Sequence, residues 1–225
     1  MTRLADILGG GDAGDARATR GAALVELAIV LPLFLLIFLG IIDFGRLGYD
    51  VVTAEKAMQK AARIAIVRPP VCNGVPNTTS RDTSNTDPIP PRFGTACNAG
   101  GPICAAVVQA SCTLAQGIAA GSTTAQEIWN SIDDLVPANA TAANVRITYD
   151  DSAILGNASL RLGFLGGPYV PIVTAQIEGL TFNFVTPIAG FVSIMGGTST
   201  FAQAIQFPAL NVSLPAEDLA QGEDG

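Results

Sequence analysis

The chain has 225 residues, 49% hydrophobic and only 14% charged, which excludes a largely disordered protein and leaves room for one domain plus a membrane segment. Its net charge is −7, and beyond Pro69 the only basic residues are Arg81, Arg92, Arg146 and Arg161, which argues against nucleic acid as a partner and against headgroup binding by the C-terminal part. Histidine is absent, which removes Ser-His-Asp and Cys-His catalysis and the commonest zinc ligand; an enzyme could still run on carboxylates alone, but none is expected, nor is a metal or cofactor.

The first element is a membrane segment. Residues 22–42 carry one ionised side chain, Glu26. At 1.5 Å rise per residue they span roughly 30 Å, one hydrocarbon core. The later run 188–195 is too short and contains Gly and Ser, so a single crossing is predicted, with the lipid bilayer as a partner. Arg17 and Arg20 precede the span, while Asp43 leads the far side with Arg46 alone. The positive-inside tendency places the N-terminus in the cytoplasm and the chain beyond Asp43 in the periplasm or outside the cell.

A secretory signal is the main rival, but residues 41–46 (Ile-Ile-Asp-Phe-Gly-Arg) fit a small-x-small cleavage site poorly. An uncleaved signal anchor is the alternative. Pro32 lies mid-span, where it removes one backbone hydrogen bond. It reads either as a bend used when the helix packs into a bundle or as a tolerated kink. A carboxylate near the end of a span is costly unless it snorkels or finds a partner, and both readings stand for Glu26.

The residues from Gly21 to Leu33, Gly-Ala-Ala-Leu-Val-Glu-Leu-Ala-Ile-Val-Leu-Pro-Leu, followed by Asp43-Phe44-Gly45-Arg46, resemble the TadE-like proteins, minor pilin-like subunits of the tight-adherence (Flp/Tad) pilus of bacteria. The resemblance covers about forty residues, from Gly21 to near Arg63, and extends into the Ala-rich stretch 54–65. It implies a leader at 1–21, removed after Gly21 by a prepilin peptidase on the cytoplasmic side, with Ala22 as the new N-terminus. It also implies that Glu26 neutralises the free amine of a neighbouring subunit's Ala22 and so sets the register of assembly. Implied partners are the prepilin peptidase, other pilin and pseudopilin subunits and the inner-membrane pilus assembly platform. The major pilin of such a system usually has Tyr after the Glu. Leu27 stands there in this chain, which with its length points to a minor subunit.

Beyond the membrane the helix is expected to continue to Val67. Leu47, Val51, Ala54, Met58, Ala61 and Ala65 recur at three- or four-residue spacing as one stripe, Glu55, Lys56, Gln59, Lys60 and Arg63 supply the polar side, and Pro69-Pro70 ends the run. Residues 71–101, rich in Pro, Asn, Thr, Ser and Gly, read as a long loop. Cys72, Cys97, Cys104 and Cys112 have no CxxC spacing and suggest two disulfides in an oxidising compartment. Three pairings are open, and a Cys72–Cys97 bond would close the loop that those two residues bracket.

Residues 103–119 are predicted helical. Thr124 with Glu127 suits a capping box for a second short helix ending at Val136-Pro137, with Trp129 in the core. After Pro137 the pattern switches to period two: residues 145–149, 160–164, 170–177, 180–185 and 200–207 read as about five strands. The run 173–177, then Phe182-Asn183-Phe184 and Pro187, also looks like the β portion of TadE-like proteins. Asp133-Asp134 and Asp150-Asp151 read as solvated turn residues, without the ligand spacing of an EF-hand. Residues 216–225 form an acidic tail expected to be mobile.

The predicted class is α+β: a long N-terminal transmembrane helix (22–68) running into a pilin-like head, with Cys-containing loops and short helices (69–137) and an antiparallel β-sheet region (138–215). The expected function is that of a minor pseudopilin in pilus assembly, initiation or adhesion. The alternative is an uncleaved bitopic envelope protein with an extracytoplasmic binding domain.

Overall fold

A computed structural model describes residues 12–86, 88–99, 101, 103–151, 154–155, 158–159, 161–184, 205–217 and 219, with side chains of the first helix described from Leu24 onward. The chain is α+β: a long helix with an apolar N-terminal half precedes an antiparallel sheet. Two compact units are present, Met1–Leu47 with Asn183–Ile205, and Gly48–Phe182 with Gln206–Gly225.

The described part of the first unit is mainly the beginning of α1 (Asp12–Val67), which runs unbroken through Pro32. Leu24, Val25, Leu27, Ile29, Val30, Leu33, Phe34, Ile37, Phe38 and Ile41 are all about half exposed or more. An apolar residue on every side of a helix, rather than on one stripe, is the pattern of a helix made for an apolar solvent. In this unit Phe44 also meets Phe184 edge to face, with ring centroids 6.1 Å apart.

In the second unit α1 changes character. Ala54, Ala57, Met58, Ala61, Ala62, Ala65 and Ile66 are buried, while Glu55, Lys56, Gln59, Lys60 and Arg63 are exposed. The three-then-one spacing is the footprint of a 3.6-residue repeat with one inward stripe. Strong helix formers fill the turn positions, and Pro69-Pro70 follows the last helical residue, as expected.

The sheet has the order β1-β2-β5-β8, all antiparallel, with β1 at Ala110–Thr113, β2 at Val145–Asp150, β5 at Ile172–Ile177 and β8 at Leu210–Pro215. Alternation gives it two faces. Val145, Ile147 and Tyr149 face inward opposite Ile177, Ala175 and Val173. On the other face a row of hydroxyls crosses all four strands: Ser111 pairs with Thr148 at 3.1 Å and Thr174 with Ser213 at 2.8 Å, and Thr148 lies opposite Thr174. Cross-strand pairs of this kind fix register, because a one-residue slip would send the hydroxyls into the core.

Two short helices precede β2. Helix α2 (Leu114–Ala119) opens with a capping box, in which the Thr113 hydroxyl accepts from the Gln116 N–H and the Gln116 side chain accepts from the Thr113 N–H. Gly121, at φ 85°, closes it, and the Ser122 N–H reaches the Gly117 carbonyl. Ser122 then caps α3 (Thr123–Ile132), whose inward face is Thr124, Ala125, Ile128 and Ile132.

Several expectations are corrected here. Residues 103–119 are not one helix: Cys104 sits in an isolated bridge with Arg81, and Cys112 lies in β1 opposite Ile147. Thr124 is a buried first-turn residue, not the cap, and Trp129 is only half-buried. Residues Leu162 and Phe164 make isolated bridges with Val170 and Ala96 instead of a strand. Leu160 falls outside the described residues, and so do residues 185 and 200–204 of two further expected strands, of which β6 (Thr181–Phe182) and β7 (Ile205–Gln206) are described. A short pair, β3 (Ile154–Leu155) with β4 (Ala158–Ser159), was not anticipated, and neither were edge strands β1 and β8. The tail is ordered at its start: the Ala216 and Glu217 N–H groups donate to Pro171 and Ile66 carbonyls, and Leu219 is fully buried.

All four cysteines are in disulfides, paired Cys72–Cys112 and Cys97–Cys104, not Cys72–Cys97. The first bond ties the residues after α1 to edge strand β1. The second staples an irregular lobe in which residues 77–105 pair with 162–170 through single bridges, around a small core of Cys97, Ile103, Cys104 and Leu165. Among the described residues of this stretch no regular strand forms, in keeping with its reading as a loop.

Candidate functional site

The residues singled out in the sequence lie along the first half of α1. Gly21 and Ala22 are within the helix backbone. Glu26 is exposed, one turn into the apolar stretch, and none of the ion pairs among the described residues involves it. The helix carries Glu26 on one line with Ile29, Val30, Leu33 and Ile37, all well exposed. A carboxylate set in an apolar surface has no compensation from its own surroundings, so its stable arrangements are neutralisation, retreat to water, or pairing with a cation brought from elsewhere. Pro32 is exposed on the same helix. It lies six positions after Glu26, so the two do not share a face.

At the other end of the apolar stretch the chain has a second carboxylate with a different solution. The Asp43 side chain is 1% exposed, and its Oδ1 lies 3.6 Å from Nη1 of Arg46, whose side chain is 46% exposed. In the sequence these two residues read as flanking charges and as part of the TadE-like motif, not as a pair. Their i, i+3 spacing on a helix is the signal that pairs them. Along α1 the Cα atoms of Glu26 and Asp43 are about 25 Å apart at 1.5 Å per residue.

The described residues of the head hold no comparable group. Asp133 caps its own neighbour, accepting from the Asp134 N–H at 2.9 Å, and Asp151 accepts from the Val107 N–H at 3.1 Å. No cluster of three or more metal-binding side chains occurs among the described residues. A small, partly open cleft of about 10 Å³, room for about one water, is lined by Cys97, Cys104, Asp151, Arg161 and Tyr169 among others. Tyr169 is buried there, and burial together with the nearby Asp151 and Asp150 raises its phenol above the usual range. The one buried tyrosine with a defined partner is Tyr149, whose oxygen accepts the Val71 N–H at 3.0 Å. Burial pushes its pKa up to about 12.

Among the described residues one helix is long and apolar enough to cross a bilayer, and it is joined to an α+β domain with two disulfides, an arrangement consistent with single-pass anchoring in a membrane. Residues 21–63 match the family model described as TadE-like protein, so the N-terminal helix of this chain, from the predicted joint at Gly21 through the buried alanine stripe, is TadE-like. No curated protein and no solved structure matches the chain. The TadE-like match and the apolar helix fit a subunit related to the Tad pilus.

Proposed function

We propose that the chain is a minor pseudopilin of a tight-adherence pilus, inserted once in the inner membrane with its N-terminus in the cytoplasm and its head outside. Prepilin peptidase cuts after Gly21, and the protein then enters the pilus or its initiation complex through α1. The observation that carries this reading is the exposed Glu26 on a wholly apolar helix face, five positions after the Gly at which the TadE-like match begins. Cleavage creates a cationic amine on Ala22 at the membrane edge. Opposite charges attract far more strongly in a low-dielectric medium than in water, so a neighbouring subunit's amine is a natural partner for Glu26. Two disulfides suit an oxidising compartment for the head.

Glu26→Ala tests the reading. The variant is expected in the membrane fraction at normal level, with piliation lost when fibres are counted by electron microscopy. Normal piliation in Glu26→Ala would contradict it.

A further inference from the structure

We propose that Asn73 is a site of spontaneous covalent modification: the backbone nitrogen of Gly74 displaces its side-chain amide, giving aspartate and β-linked isoaspartate in the connector to the irregular lobe. The inference depends neither on the membrane helix nor on the pilus reading. Asn73-Gly74 is the one Asn-Gly pair in the chain. Both residues are exposed. Gly74 stands at φ 88°, and nothing lies within 4 Å of the position a Cβ would take there. Among the described residues, Asn73, Gly74, Val75 and Pro76 make no hydrogen bond, so neither the Asn73 amide nor the Gly74 N–H is held away from the other. The chain is anchored on both sides of these four residues. Before them, the Val71 N–H donates to the Tyr149 oxygen at 3.0 Å and Cys72 is bonded to Cys112. After them, the Asn77 carbonyl accepts the Tyr169 N–H at 3.1 Å and the Thr79 N–H donates to the Gly167 carbonyl at 2.9 Å. Residues 73–76 therefore join the disulfide at the end of α1 to the lobe.

Solvent base takes the Gly74 amide proton, and the nitrogen adds to Cγ of Asn73. The bond from Cγ to the side-chain nitrogen breaks, and that nitrogen leaves as ammonia. A side chain on the next residue would crowd the closing ring, and glycine has none. Water then opens the cyclic imide at one of its two carbonyls. Opening at Cγ leaves an ordinary aspartate. Opening at the main-chain carbonyl leaves the backbone running through Cβ and Cγ, one methylene longer, with the α-carboxylate free. In sum, an amide and water become an acid and ammonia, and no oxidant or cofactor takes part. Either product adds a negative charge beside the open groove that Asn73 lines with Cys72, Cys112 and Gln116. Isoaspartate alone changes the reach of the connector, and so pulls on the anchors at Val71 and Asn77.

The test is peptide mapping of the full chain in detergent, without reductant, after storage at neutral and at mildly alkaline pH. Conversion is expected at Asn73 several-fold faster than at Asn77 or Asn98, and faster still at the higher pH. Both products are expected, the β-linked one being the substrate of an isoaspartate-specific methyltransferase used as the probe. Gly74→Ala is expected to slow conversion several-fold and Asn73→Gln to remove it, and both changes fall where there is no hydrogen bond to lose. Conversion at Asn73 no faster than at Asn77 or Asn98, or a rate unchanged in Gly74→Ala, overturns the site. The connector is tested by amide hydrogen exchange on the isoaspartate form. Exchange at Val71 and Tyr169, whose N–H groups are the two anchors, is expected to quicken several-fold, while Asn73→Asp, which adds the charge without the methylene, leaves it as it was. Unchanged exchange in the isoaspartate form, or equal quickening in Asn73→Asp, overturns the role of the connector.

Discussion

At the residue scale the head turns on a few side chains placed where two segments must meet. Tyr149 is the largest fully buried side chain, and its oxygen takes the N–H of Val71, the first residue after the Pro69-Pro70 stop. Its raised pKa has a definite sign in stability. The phenol is held neutral in the folded state, so its contribution is complete below about pH 10 and is lost as pH rises toward 12. Tyr149→Phe is expected to flatten that alkaline loss by an amount on the order of 2 kcal/mol, and at pH 7 to lower stability by about 1–3 kcal/mol because the Val71 N–H loses its acceptor. Urea titrations at pH 7 and pH 11 check both, and an unchanged alkaline slope would count against the assignment. Gly117 is a second such position. A Cβ there would stand 2.7 Å from Val71 Cγ1 and 2.9 Å from Ala125 Cβ, neither of which can swing away. Gly117→Ala is expected to cost about 1–3 kcal/mol by overpacking, read as a fall in the urea midpoint, and a neutral result would mean that α2 moves freely. Neither constraint was legible in the sequence, since both depend on partners far along the chain.

At the element scale, legibility followed periodicity. The stripe through Ala54, Met58, Ala61 and Ala65 and the alternation in β2 and β5 were readable because helix and strand repeats are written into consecutive residues. Edge strands β1 and β8 were not. Ala110–Thr113 has four residues and no apolar alternation, and it is a strand because Cys112 is bonded to Cys72 and lies opposite Ile147. The capping error has a similar cause. Thr124 and Glu127 have the right spacing, but Ser122 stands two residues earlier, after the turn that Gly121 makes, and takes the cap. The buried stripe makes its own prediction. Ala61 is fully buried on a face built from small residues, so Ala61→Leu is expected to destabilise the head by about 1–3 kcal/mol, whereas Gln59→Leu on the exposed side should be nearly neutral by thermal denaturation. Equal effects from the two would contradict the placement of the stripe.

At the scale of the whole molecule, a chain with this many glycines and prolines in its irregular regions relies on cross-links. Cys72–Cys112 closes a separation of 40 residues and Cys97–Cys104 one of 7. In the chain-entropy account these correspond to about 4 and about 2.5 kcal/mol, so replacing the first pair by serine is expected to cost more than replacing the second. Denaturant titration of the two double variants checks the order, and peptide mapping without reductant checks the pairing. The pairing itself was beyond the sequence, because three arrangements of four cysteines are equivalent until the strand order brings Cys112 beside the end of α1. The plan of the molecule was legible much earlier: one apolar helix with a lone carboxylate, a stop at two prolines, and a β-rich remainder.

The central claim is that the helix is trimmed to expose an amine that a neighbour's Glu26 then accepts. The most direct measurement is the mass of the N-terminal peptide of the protein isolated from membranes or fibres of the native cell. The account predicts a chain beginning at Ala22. A chain that retains residues 1–21 would contradict it and leave an uncleaved, single-span envelope protein in its place.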